Sequence, residues 1–149
     1  MAKGRTLLEI RTAILQRLYR DWDSRRGGRE FPSRADFDVL DFKYVIGQLA
    51  LIDVSYDPLR FRFRLHGTGI SQRVGYEMTG KEVDDLPSPL VRASVRRHYS
   101  EVVGRRTPIV EARERQIRDD SIVDSEALAL PLSSDGKTID MLMVGVVFP

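Results

Sequence analysis

The chain contains no cysteine. Disulfides, thiolate metal sites, cysteine nucleophiles and cysteinyl adducts to a chromophore are therefore excluded. Long apolar runs are missing too. The longest, residues 141–148, is interrupted by Gly145 and falls far short of the ~20 residues a membrane-spanning helix needs. No apolar core precedes a small-residue cleavage site at the N-terminus, so a secretory leader is not expected. The expected location is the cytoplasm, with no transmembrane segment. An excess of either charge is also lacking. Against 24 Lys and Arg stand 22 Asp and Glu, a net charge of +2. A dedicated nucleic-acid binder usually carries a clustered basic excess, so no nucleic-acid partner is expected. Finally, no HExxH, GxSxG or P-loop pattern occurs, and the chain is not expected to be an enzyme.

What is present suits one self-sufficient core: 149 residues, 42% of them hydrophobic. The central stretch is residues 60–80. Phe61, Phe63 and Leu65 alternate with Arg60, Arg62, Arg64 and His66, which predicts a strand. Gly67 breaks it. Thr68 is then placed to cap a short helix carrying Ile70 and Val74, which Gly75 closes. A strand that runs straight into glycine-punctuated helices builds the wall of a small cavity.

Residues 5–22 read as an amphipathic helix, with Leu7, Leu8, Ile10, Ile14, Leu15, Leu18, Tyr19 and Trp22 at three- and four-residue spacings. Its apolar face is suited to docking on its own core or on a second copy. Anionic lipid is a weaker reading, because Glu9 and Asp21 oppose it. Residues 23–32 form a basic, glycine-rich connection. Arg25, Arg26 and Arg29 around Gly27-Gly28 offer an anion site only weakly, without the Walker lysine. Ser33 with Asp36 three residues on marks a capped turn, and Arg34 is expected to pair with Asp36 or Asp38. Residues 49–56 are a strand that joins residues 60–66 through the Asp57-Pro58 turn. A longer helix is predicted over 90–105, ending near Gly104, with Leu90, Val91, Val95, Tyr99, Val102 and Val103 on one stripe. Strands follow at 108–117, 126–133 and 139–148, the last two joined by the Asp135-Gly136 turn. This order predicts an α+β fold, a five-stranded antiparallel sheet with the intervening helices on one face.

With these residues the chain resembles the PAS domain superfamily, in particular the single-domain bacterial PAS proteins found mainly in alphaproteobacteria. The resemblance rests on Pro32-Ser33-Arg34-Ala35-Asp36-Phe37-Asp38, Arg62-Phe63-Arg64-Leu65-His66-Gly67-Thr68, Gly75 through Thr79-Gly80, and Leu130-Pro131-Leu132 before Asp135-Gly136. It implies a PAS-like domain over 29–149, preceded by an N-terminal amphipathic helix and linker over 1–28. It implies a sensory and regulatory module that holds a small molecule between sheet and helices. It also implies a homodimer formed through residues 5–22 and an unidentified signalling protein contacted in trans.

The expected pocket lining is Ile70, Val74, Tyr76, Met78, Val95, Tyr99 and Leu128, with Arg64, His66 and Thr68 as polar groups. The ligand or cofactor is not identified by the residues. His98 stands where the haem sensors of the superfamily place their iron ligand. Arg96 and Arg97 precede it and it lies beside the apolar stripe, so a partly exposed surface histidine is the stronger expectation. The acidic pairs Asp84-Asp85, Asp119-Asp120 and Asp38/Asp41 read as solvated turns rather than acid–base pairs. Arg60, Arg62 and Arg64 are expected to pair with acids such as Asp53 rather than to bind an anion. A ligand-free dimerisation module is the alternative to the ligand-binding sensor.

Overall fold

A computed structural model describes residues 9–118 and 121–149. In chain order the elements are helix α1 (Ala13–Arg26), strands β1 (Leu49–Ser55) and β2 (Arg60–His66), helices α2 (Thr68–Val74) and α3 (Pro89–Arg105), and strands β3 (Ile109–Arg118), β4 (Ser121–Leu132) and β5 (Met141–Val147). The strands make one antiparallel sheet in the spatial order β2-β1-β5-β4-β3. The chain is thus α+β with a five-stranded sheet, as its pattern predicts. Asp119-Asp120 and positions 5–8 of the predicted first helix lie outside the described residues.

Cross-strand pairs assign the two faces of the sheet, since opposed residues share a face. Ala50 opposes His66 and Val144, and Ile52 opposes Phe63 and Leu142. This inner face lies beneath α2 and α3. Leu49 and Leu128 both oppose Gly145 on the outer face. Here α1 docks. A Cβ on Gly145 would stand 2.6 Å from Leu15 Cδ2 and 2.8 Å from Leu18 Cδ2, so the glycine lets the helix reach the sheet. β5 is apolar on both faces because both faces are covered.

The helix predicted over residues 5–22 is interrupted after Glu9, which is helical, and α1 then runs past the expected end to Arg26. Residues 10–12 are not helical. Their polar groups turn to the buried Glu126 carboxylate, which accepts from Arg11 N (2.7 Å), Thr12 N (3.0 Å) and Thr12 Oγ1 (2.8 Å). A carboxylate at a helix N-terminus satisfies orphan N–H groups and complements the dipole. Farther along, Trp22 Nε1 donates to Pro131 O at 2.9 Å. Leu15, Leu18, Tyr19 and Trp22 are all buried. Over Ala13–Arg26 the apolar stripe docks on the chain's own core.

The basic connection is tied up internally. Arg25 pairs with Asp41 (3.0 Å), Arg26 with Asp23 (2.7 Å) and Arg29 with Asp36 (2.8 Å). Ser33 and Asp36 form the expected capping box. Arg34, however, donates to Phe37 O at 3.0 Å instead of pairing with Asp36 or Asp38.

At the end of β2, Gly67 N donates to Leu49 O at 2.8 Å. A Cβ here would meet Gly47 O at 2.4 Å and Leu49 O at 2.7 Å, so no side chain fits. Gly67, not Thr68, is the N-cap of α2; Thr68 is the first helical residue and is exposed. α3 is capped by Ser88, whose Oγ accepts from Val91 N at 3.3 Å. It continues past Gly104 to Arg105, and Arg106 takes the left-handed turn instead. That turn is held by Arg106 bonds to Glu30 (3.1 and 2.8 Å) and to Lys137 O (2.7 Å). Leu90 is exposed, so the inward stripe of α3 begins at Val91.

These contacts predict glycine substitutions of opposite sign. Gly67→Ala forces backbone apart and is expected to cost about 3 kcal/mol or more. Gly104→Ala places a methyl in open space on a helix and is expected to stabilise by about 0.5 kcal/mol. Denaturant midpoints of the two variants against the parent check both.

Candidate functional site

Between the inner face and the helices lies a cavity of about 40 Å³. The sheet supplies Ala50, Phe63 and Val146, and α2 supplies Ile70 and Val74. Val91, Val95 and Tyr99 of α3, together with Leu86 and Tyr76, close it. His66 and Arg113 are the groups in the lining that are neither hydrocarbon nor phenolic. A mostly apolar hollow with a few polar groups is the ordinary form of a small-molecule site. This one is roomy enough for a few waters, since one water needs about 10–15 Å³.

His66 is held by its neighbours. Its ring stacks on Tyr76 (centroids 6.3 Å apart, planes 9° apart) and meets Phe63 edge-on at 5.4 Å. Met78 N donates to Nδ1 at 3.4 Å, and Ser71 Oγ lies 2.8 Å from the same nitrogen. Ser71 Oγ donates to Glu77 Oε2 at 2.8 Å. Glu77 Oε1 accepts from Thr79 N (2.7 Å) and Thr79 Oγ1 (2.5 Å). These bonds, the Thr79 hydroxyl first, hold the Glu77 carboxyl down at about 2. Burial lowers His66, and the Glu77 charge offsets part of that. The serine stands between histidine and acid. In a nucleophilic relay the base stands between the hydroxyl and the acid, so this order fixes a turn and does not activate Ser71.

The second histidine is the main correction to the sequence reading. His98 is fully buried, not a partly exposed surface residue. Its Nε2–H donates to Ile109 O at 2.8 Å, and its Nδ1 accepts from Arg113 Nη2 at 2.7 Å. Both nitrogens are therefore spent, and neither is left to ligate a haem iron. Burial first, then the Arg113 charge, push His98 down to about 3, against a smaller upward pull from the Ile109 bond. The ring is neutral and fixed in one tautomer.

Arg113 is the residue that sequence reasoning missed. It lies on β3, is 8% exposed and lines the cavity. Burial lowers its pKa, while Tyr99 and Glu111 oppose that change. Tyr99, buried beside it, is raised to about 12, chiefly by burial. Glu111 Oε1 lies 3.8 Å from Arg113 Nε and 3.9 Å from His98 Nδ1.

Of the expected lining, the structure brings together His66, Ile70, Val74, Tyr76, Val95 and Tyr99. Four residues stand elsewhere. Leu128 opposes Gly145 and lies on the outer face, under α1. Arg64 is exposed and pairs with Asp53 at 3.0 Å. Thr68 is exposed beside Gly47. Met78 is buried outside the cavity wall. The Arg64–Asp53 pair follows the expectation for the arginine strand. Among the described residues, no helix is long and apolar enough to cross a membrane.

A family model described as PAS domain matches residues 10–147. Among solved structures, the chain is similar to the PAS domain of a protein from Colwellia psychrerythraea. Identity is 16% and the TM-score 0.51, over 75% of this chain and 98% of that one. It is also similar to a sensory box sensor histidine kinase from Vibrio cholerae (19% identity, TM-score 0.49, 72% of this chain and 88% of that one). A fungal LOV domain photoreceptor matches at 14% identity and a TM-score of 0.48, over 68% of this chain and 73% of that one. At these identities the likeness is one of fold. No curated protein matches the chain.

The buried histidine predicts a pH dependence. His98 keeps off the proton down to about 3 when folded, whereas the unfolded chain takes it near 6.5. The unfolded state therefore binds the extra proton first, and stability falls as pH drops from about 6.5 toward 3. His66 acts in the same direction. Carboxylates such as Glu77, lowered when folded, lose their contribution only below about 4.5. The denaturant midpoint is thus expected to be lower at about pH 5 than at about pH 7.5, a window that isolates the histidines. Imidazole NMR should show no titration of His98 across that window.

Proposed function

The chain belongs to the PAS domain family of sensory modules, and on that premise we propose that it is a cytoplasmic regulator that binds a small ligand in the inner cavity and signals through protein contacts in trans. The observation that carries the ligand half is the cavity itself. Native cores are packed to crystal density, with few voids larger than a water molecule. Here about 40 Å³ stands between Tyr76, Tyr99 and Val95, with a buried guanidinium in its wall. A ligand would act by favouring one packing of α2 and α3 over another, which alters the surface offered to a partner.

Pairing of two copies through residues 5–22 belongs to the same proposal, with one constraint. The apolar stripe of α1 is spent on its own sheet. Within α1, a second copy would have to meet the outward side, where Arg20 is exposed. The ligand-free interaction module remains the reading to which a negative ligand result would lead.

Native mass spectrometry of the purified chain tests the proposal. A non-covalent mass that leaves on denaturation is expected. Val95→Leu adds a methylene at the cavity wall and should reduce the occupied fraction at least several-fold while leaving the fold intact. A bare chain in both proteins would overturn ligand binding and leave the interaction module.

A further inference from the structure

We propose that the cavity selects a small uncharged carbonyl compound, a short-chain ketone or aldehyde, whose oxygen accepts hydrogen bonds from Tyr99 Oη–H and Arg113 Nη1–H. This rests on the ligand-binding reading above and names its chemistry. The two donors are found by elimination. Among the described residues, the buried side-chain polar atoms that are closed to water and lack a partner are Thr107 Oγ1, Arg113 Nε and Ser125 Oγ. Arg113 Nη2 is taken by His98 Nδ1 at 2.7 Å. Tyr99 Oη and Arg113 Nη1 belong to neither set: among the described residues they have no hydrogen-bond partner, and they are open to a molecule the size of water. Yet Tyr99 is only 3% exposed and Arg113 only 8%. Both side chains line the cavity, so the cavity is the space from which each open atom is reached.

The two donors act together. Each bears on the other's ionisation, which puts them within electrostatic reach of one another. Burial holds the Tyr99 hydroxyl up at about 12, so it keeps its proton to donate. A buried N–H or O–H that meets no acceptor is costly. A carbonyl oxygen carries two lone pairs, one for each donor.

Charge and size narrow the class. Glu111 Oε1 stands 3.8 Å from Arg113 Nε and already supplies the guanidinium with a counter-charge. An anionic ligand would bring a second negative charge beside Glu111, away from water, and a cationic one would meet Arg113; both are disfavoured. Ile70, Val91, Val95 and Val146 give the wall its hydrocarbon, which suits methyl groups. The cavity is about 40 Å³, roughly a quarter of the ~150 Å³ that admits benzene in an apolar core. Acetaldehyde and acetone are of the right order; aromatic ketones are too large.

The test is an amide NMR titration of the full chain with acetone, against sodium acetate and isopropylammonium chloride, charged molecules of similar size, at fixed ionic strength. Acetone should give saturable shifts centred on α3 and the inner face of the sheet. Each charged analogue should bind at least tenfold more weakly. Tyr99→Phe keeps the ring that meets Phe61 edge-on at 5.7 Å and removes only the hydroxyl; it should weaken acetone binding several-fold. Arg113→Met should weaken it as well, and if that variant does not fold, the Tyr99 variant carries the test. A charged analogue that binds as tightly as acetone, or acetone binding unchanged in Tyr99→Phe, overturns the carbonyl proposal while leaving the cavity a ligand site. No saturable shift with acetone also overturns it, and the native mass result then decides the ligand reading separately.

Discussion

The contact of Gly67 with the start of β1 governs the inner half of the molecule. Its N–H closes on Leu49 O, and its Cα sits against the Gly47 carbonyl with no room for a side chain. β2 therefore ends at His66 and the chain turns at once into α2. That places Ile70 and Val74 over the sheet and brings Tyr76 back to stack on His66. The Ser71–Glu77–Thr79 bonds then hold the return turn. One backbone approach thus sets the cavity wall, and the polar bonds around it maintain that wall rather than perform chemistry.

Much of this was legible in the sequence wherever a period was strong. The Phe–Arg alternation gave β2 with the bounds observed, and the unbroken apolar run of β5 announced burial on both sides. The failures have physical causes. Leu128, Leu130 and Leu132 share a face, but one strand's alternation does not say which face of the sheet that is. Only the register with β5 puts Leu128 opposite Gly145 and hence under α1. Arg64 sits at the register shift in the β1–β2 pairing and stays exposed with Arg60 and Arg62; the shift turns His66 alone of that alternating set to the inner face. The predicted first helix is interrupted at residues 10–12, where Thr12 turns to Glu126, a carboxylate 114 residues away from it in sequence. Local periodicity cannot anticipate such a partner.

The buried polar group at the other end of the cavity was hidden for a related reason. On β3, Val110 and Ala112 alternate with Glu111 and Arg113, and a hydrophobicity argument alone turns the former inward. The cross-strand pairs do the reverse: Glu111 opposes Ala127 and Arg113 opposes Ser125, on the inner face. What makes this tolerable is a chain of bonds in which His98 accepts a hydrogen bond from Arg113 and donates one to Ile109 O. Burial lowers both the histidine and the arginine, because each would be a cation taken from water. The histidine yields and stays neutral, leaving the arginine as the charge. Replacing such a group by hydrocarbon is often neutral or stabilising, so stability alone does not require a guanidinium at this place.

β4 joins the two sides of the sheet within two residues. Ser125 opposes Arg113 on the inside, and Glu126 grips the start of α1 on the outside. Both belong to a strand paired to β3 and to β5, so neither can shift without carrying the other. The inside of the molecule and its outermost helix are therefore adjacent along the backbone, although a sheet divides them in space.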